Sequence, residues 1–170
     1  MKKIVLVMVS LLVYGFTNAQ EAKFGVTAGL DLASAKGVYP GGSMSETETG
    51  FYIGALVDFT VSNQFHIQPE LELVFIKDSK QLQLPILAKV VLVDKLSLLL
   101  GPDLLFDLDK KTPGVKTFGL GLDFGGAYDI NKNLSIEAKY NLGLTNLIEN
   151  APSGYSAKIC GFFAGVGYKF

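Results

Sequence analysis

The sequence predicts an all-β fold, an eight-stranded antiparallel up-and-down barrel that crosses a membrane. Three observations predict it. Beyond the first 19 residues, apolar side chains alternate with small or polar ones in eight segments, the period of a strand with two different faces. No later segment keeps a 3.6-residue period or runs apolar long enough for a spanning helix, so a membrane-embedded chain must use closed strands. The connections tend to alternate between tight and long, as in outer-membrane barrels.

The chain opens like an export signal. Lys2 and Lys3 precede an apolar run over residues 4–13 broken only by Ser10, and Thr17-Asn18-Ala19 has the small-residue form of a cleavage site. Residues 1–19 are expected to be a signal peptide cleaved after Ala19, and residues 20–170 the barrel domain. The expected location is the outer membrane.

The first strand is expected over residues 23–35, with Phe24, Val26, Ala28, Leu30 and Leu32 on one face and Gly25, Thr27, Gly29 and Asp31 on the other. The second, residues 50–61, sets Phe51, Ile53, Ala55, Val57 and Phe59 against Tyr52, Gly54, Leu56 and Asp58. In the third, 65–77, Ile67, Leu71, Leu73 and Phe75 oppose His66, Gln68, Glu70 and Glu72. In the fourth, 81–93, Leu82, Leu84, Ile86 and Val90 oppose Gln83, Pro85 and Lys89. The fifth begins at Leu96 and carries Asp103 and Asp107 on its polar face, and the sixth begins at Thr117 and carries Asp123. The seventh begins at Leu134, with Glu137, Lys139 and Asn141 on that face. The last sets Cys160, Phe162, Ala164, Val166, Tyr168 and Phe170 against Gly161, Phe163, Gly165 and Lys169. Residues 62–64, 94–95 and 130–133 read as tight turns, and 36–49, 107–116 and 148–156 as long loops; Ser79-Lys80 is a short link where a long one is due.

The apolar face is expected to point outward. The opposite face combines charges with many glycines, which suits a narrow lumen filled by side chains better than a hydrated outer surface. Phe24, Phe59, Phe65, Tyr128, Tyr168 and Phe170 fall at the periplasmic level, and Phe51, Phe75, Phe106 and Phe118 at the outer level, as two interfacial girdles. Tyr168 and Phe170 also have the form of the terminal signal read by barrel-assembly machinery.

Composition narrows the function. The formal net charge is -1 and the sole adjacent basic pair past the start is Lys110-Lys111, so no nucleic-acid surface is expected. One cysteine, Cys160, and one histidine, His66, rule out a disulfide within the chain and the usual zinc sets. Cys160 is expected to face lipid, and His66 to hold a structural place near the periplasmic rim. Without a nucleophile–base pair no enzyme is expected, and no cofactor. Hairpin register is expected to bring Glu70 near Lys89 and Asp123 near Lys139 in the lumen, read first as structural pairs that neutralise buried charge and second as a charged pathway. The acidic excess there leaves open a water-filled upper lumen, a few carboxylates with raised pKa values, or a bound cation. The loop over residues 36–49, with Gly41-Gly42, Glu46 and Glu48, reads equally as a docking site and as a mobile tip without a partner.

Gln68-Pro69-Glu70-Leu71, Leu84-Pro85-Ile86-Leu87 with Lys89, Leu100-Gly101-Pro102, Lys139-Tyr140-Asn141-Leu142-Gly143-Leu144-Thr145-Asn146 and the closing Gly165-Val166-Gly167-Tyr168-Lys169-Phe170 follow one another along the chain. In these segments the sequence resembles the PorT-like outer-membrane β-barrel family of Bacteroidetes. The resemblance implies a small outer-membrane barrel. It does not carry over the secretion role of one branch, because Asp78 and Leu82 stand where that branch often has a glycine and an aromatic. The expected function is structural, loop-displaying or partner-docking and non-enzymatic; the alternatives are a soluble periplasmic barrel for a lipophilic ligand and a narrow ion or solute channel. Expected partners are outer-membrane lipid, the barrel-assembly machinery and an envelope protein at the extracellular loops, around a monomer.

Overall fold

The computed structural model describes residues 21–77, 79–109 and 113–170. The expected signal peptide, Asp78 and the Lys110-Lys111 pair lie outside the described residues. Eight strands, β1 (Glu21–Tyr39), β2 (Gly42–Ser62), β3 (Phe65–Ile76), β4 (Ser79–Val93), β5 (Leu96–Asp107), β6 (Phe118–Asp129), β7 (Leu134–Gly143) and β8 (Ser156–Lys169), pair antiparallel with their neighbours. β8 returns to β1, so the sheet closes and leaves no edge along the barrel wall. Glu21 and Phe170 sit at one end, hereafter the near end, together with the tight turns at Asn63–Gln64, Asp94–Lys95 and residues 130–133.

The alternating pattern decides which face is wet. Ile53, Val166, Leu30 and Leu100 are 55%, 48%, 61% and 53% exposed, whereas Asp58, Lys89, Glu72 and Asp103 are at most 4% exposed. The apolar row therefore forms an outward belt and the charged row fills the lumen, the reverse of a soluble barrel that carries a lipophilic ligand inside. Aromatic pairs mark both margins of the belt. Tyr168 packs on Phe170 at 5.6 Å at the near end, and Phe51 stacks on Phe75 at 5.0 Å and Phe106 meets Phe118 at 5.1 Å at the far end.

Three expectations need correction. Residues 36–49 are not a loop: β1 and β2 continue as one hairpin to a two-residue turn at Pro40-Gly41. Thr47, Thr49, Val38 and Tyr39 favour an extended chain, and Ser34 bonds across the pair to Ser45 at 3.2 Å and Thr47 at 3.4 Å. Cys160 keeps the register of the lipid-facing row, opposite Ser34, but its short side chain is 2% exposed. Phe59 likewise keeps its row at the near end but is 6% exposed.

Candidate functional site

The lumen holds the polar residues that could do chemistry, arranged in layers. Lys139 on β7 and Glu70 and Glu72 on β3 come from opposite walls. Lys139 Nζ donates to Glu70 Oε2 at 2.6 Å and to Glu72 Oε1 at 2.8 Å, with all three side chains at most 2% exposed. Gln68 Nε2 donates to the second oxygen of Glu70 at 2.6 Å. On the neighbouring wall, Asn141 Nδ2 reaches Asp103 at 2.9 Å and Asp123 at 2.5 Å. The far side of this layer is capped by Tyr52 and Phe163, edge to face at 5.5 Å, with the Lys139 ammonium 5.9 Å from each ring centre. Ala33, Val74 and Ile76 complete that apolar plug. Leu87, Leu99 and Ala127 make a second apolar cluster.

Glycines make room for the plug. A Cβ on Gly165 would fall on the Tyr52 hydroxyl and on the Ala28 carbonyl, and one on Gly29 would meet the β8 backbone. Small residues on β1 and β8 thus let one wall approach closely while Tyr52 crosses the interior.

Of the two expected lumen pairs, Glu70–Lys89 does not form. Glu70 and Lys89 both face inward, but β3–β4 register sets Lys89 opposite His66 rather than Glu70. Lys89 Nζ bonds Asp129 at 3.3 Å, on β6. Asp123 lies opposite Asn141, and Lys139 opposite Gly125, so Lys139 is two places from the expected pairing. Asp123 is thus a same-face diagonal neighbour of Lys139, close as expected, whereas Glu70 and Lys89 take other partners, because their hydrogen-bonded ion partners come from strands that are not adjacent.

At the near end a cavity of about 510 Å³ opens, lined by Lys23, Asp58, His66, Lys89, Asp129 and Lys169 among others. Its lining reaches Ser135 but neither Lys139 nor Glu70, so it stops short of the buried layer. Lys169 donates to Asp58 Oδ2, and the other Asp58 oxygen is 2.7 Å from His66 Nδ1. Thr60 Oγ1 lies 3.4 Å from that same nitrogen. Both partners contact one nitrogen, so the trio is not a carboxylate–imidazole–hydroxyl relay, which needs a different ring nitrogen for each. Among the described residues no group of three or more His, Cys, Asp or Glu is placed to hold a metal ion.

Neither a protein-family model nor a curated protein sequence matches the chain. Among solved structures it is similar to Ail, the attachment invasion locus protein of Yersinia pestis, at 15% identity and a TM-score of 0.54, covering 89% of this chain and 100% of that one. Neisserial surface protein A (NspA) is similar at 20% identity and a TM-score of 0.55, again over 89% and 100%. Ail in complex with the heparin analogue sucrose octasulfate matches with a TM-score of 0.51 at 15% identity. At these identities the likeness is one of architecture: the chain has the closed eight-stranded fold of outer-membrane barrels.

Proposed function

We propose that this chain is a non-enzymatic outer-membrane barrel that holds its far end outward as a docking surface and neither conducts nor catalyses. The observation that carries this is the filled lumen. The Lys139–Glu70–Glu72 cluster and the Tyr52–Phe163 plug occupy the axis, while the outer belt offers lipid an apolar surface. Tight turns and both termini belong to the periplasmic side, as in other barrels of this kind. That puts the 510 Å³ vestibule on the periplasm and the raised β1–β2 hairpin outside. The export signal over residues 1–19, recognition of Tyr168 and Phe170 during assembly, and membership in the PorT-like family all belong to this reading. The sulfated-sugar complex of Ail is not carried over, because the raised hairpin here presents Glu46 and Glu48.

Expression with residues 1–19 in place should put the protein in the washed outer-membrane fraction, starting at Gln20. It should migrate differently on a gel boiled and unboiled, and add no stepwise conductance to a planar bilayer. A soluble periplasmic protein would overturn the location, and discrete conductance steps would overturn the sealed lumen.

A further inference from the structure

β1 and β2 rise above the ends of β3 to β7 together with the start of β8, and of the two hairpin strands only β1 is flanked there. β1 is paired with β8 as far as Val38 opposite Ser156. β2 loses its β3 partner at Gly50 opposite Ile76, because β3 ends and the chain turns at Lys77. Residues 42–49 therefore form an open strand edge, roughly 26 Å long at a rise of about 3.3 Å per residue. Every one of those eight residues is exposed.

The two-residue turn fixes which backbone groups are free. It makes Tyr39 and Gly42 a hydrogen-bonded pair, so by alternation Met44, Glu46 and Glu48 bond to β1. Ser43, Ser45 and Thr47 then aim their N–H and C=O groups at the open side. Natural edges are commonly blunted by proline, lysine or a bulge. Residues 42–49 contain no proline and no lysine, and their register with β1 is unbroken.

We propose that this edge of β2 receives an extended protein segment by strand addition, and that the guest carries Lys or Arg two residues before an apolar side chain. The proposal rests on the docking role above and names its surface and partner. The chain itself shows the chemistry required. Lys77, at the point where β3 stops, places its ammonium 3.2 Å from Glu48 Oε1. A guest continuing the line of β3 would next meet Glu46 and then Met44, which is 62% exposed on the same face. Glu46 calls for a second cation, and Met44, beside half-exposed Tyr39, for an apolar group. A second copy of this chain fits poorly, since two such edges would bring four glutamates to one face. The guest's backbone would supply the bonds and its alternate side chains the selectivity.

The test uses the full barrel refolded in an uncharged detergent and a labelled peptide of pattern threonine-lysine-threonine-leucine-threonine. An acidic control has glutamate in place of the lysine. Fluorescence anisotropy should show the basic peptide binding at least about tenfold more tightly than the control. Ser45→Pro with Thr47→Pro removes two donors from the open side without taking one from the β1 ladder, and should weaken binding at least about tenfold. Glu46→Lys with Glu48→Lys should invert the charge preference; these exposed changes carry the test if the proline variant fails to fold. Equal binding of both peptides, or indifference to the substitutions, overturns the proposal. The boiled-versus-unboiled gel shift reports on the barrel separately: a preparation that keeps the shift yet ignores the peptides sinks the edge proposal alone, whereas loss of the shift in the unaltered protein removes the barrel reading with it.

Discussion

Replacing Lys139 with methionine should expose the cost of the lumenal charge cluster. Lys139 is 2% exposed and bonds two carboxylates at 2.6 and 2.8 Å. At an effective dielectric of about 20, each contact is worth roughly 6 kcal/mol in gross Coulomb energy. Desolvating the charged groups offsets most of that, so the intact cluster contributes little net stability. Removing the lysine alone is different, because it leaves Glu70 and Glu72 side by side without a cation between walls that admit little water. Breaking a buried pair in this way costs about 3–5 kcal/mol. The assay is reversible urea unfolding in lipid vesicles, followed by the gel shift and circular dichroism. Lys139→Met combined with Glu70→Gln and Glu72→Gln should recover most of the loss, since neither carboxylate bonded to Lys139 is then left without its cation. A single variant within about 1 kcal/mol of the unaltered protein, or a triple variant as unstable as the single one, would refute the account of a dry core whose carboxylates depend on the Lys139 ammonium.

Five further substitutions test the fold around that core. Ile53→Lys, at the middle of the outward belt, should destabilise the barrel in lipid by about 2–4 kcal/mol, whereas Thr47→Lys, above the end of β3, should shift stability by less than about 0.5 kcal/mol in the same titration. Gly165→Ala should cost about 1–3 kcal/mol, because its methyl group would collide with the Tyr52 hydroxyl and the Ala28 carbonyl. Gly37→Ala should be neutral or slightly stabilising, as its nearest neighbour is the Met44 carbonyl oxygen at 3.9 Å. His66→Ala should cost only about 1 kcal/mol by urea unfolding, because Asp58 keeps its bond to Lys169 when the imidazole is gone.

Much of the barrel was legible because a strand writes its two faces in every second residue. Phe51, Ile53 and Ala55 against Tyr52 and Gly54 specify a sidedness that any closed sheet of these segments must honour. The ends of strands were less legible. Residues 36–49 are polar and glycine-containing, which suggests a loop, yet Thr47, Thr49 and the Ser34–Ser45 contact extend the hairpin once β8 flanks β1. The lumen pairs were legible as a set and not as partners. Glu70, Lys89, Asp123 and Lys139 all face inward as expected, but Glu70 bonds Lys139, 69 positions away, while Lys89 turns to Asp129.

Local alternation of residue type determined that the chain would make eight two-faced strands with their charges on one side, since side-chain direction in a strand depends only on position along it. Closure decided the rest. Strand tilt and stagger bring β3 and β7 face to face, choose which carboxylate meets which lysine, and end β3 several residues below the tip of β2. Those distances run across the barrel, where neighbours in space share no neighbourhood in sequence, and so they exist only once the last strand has found the first.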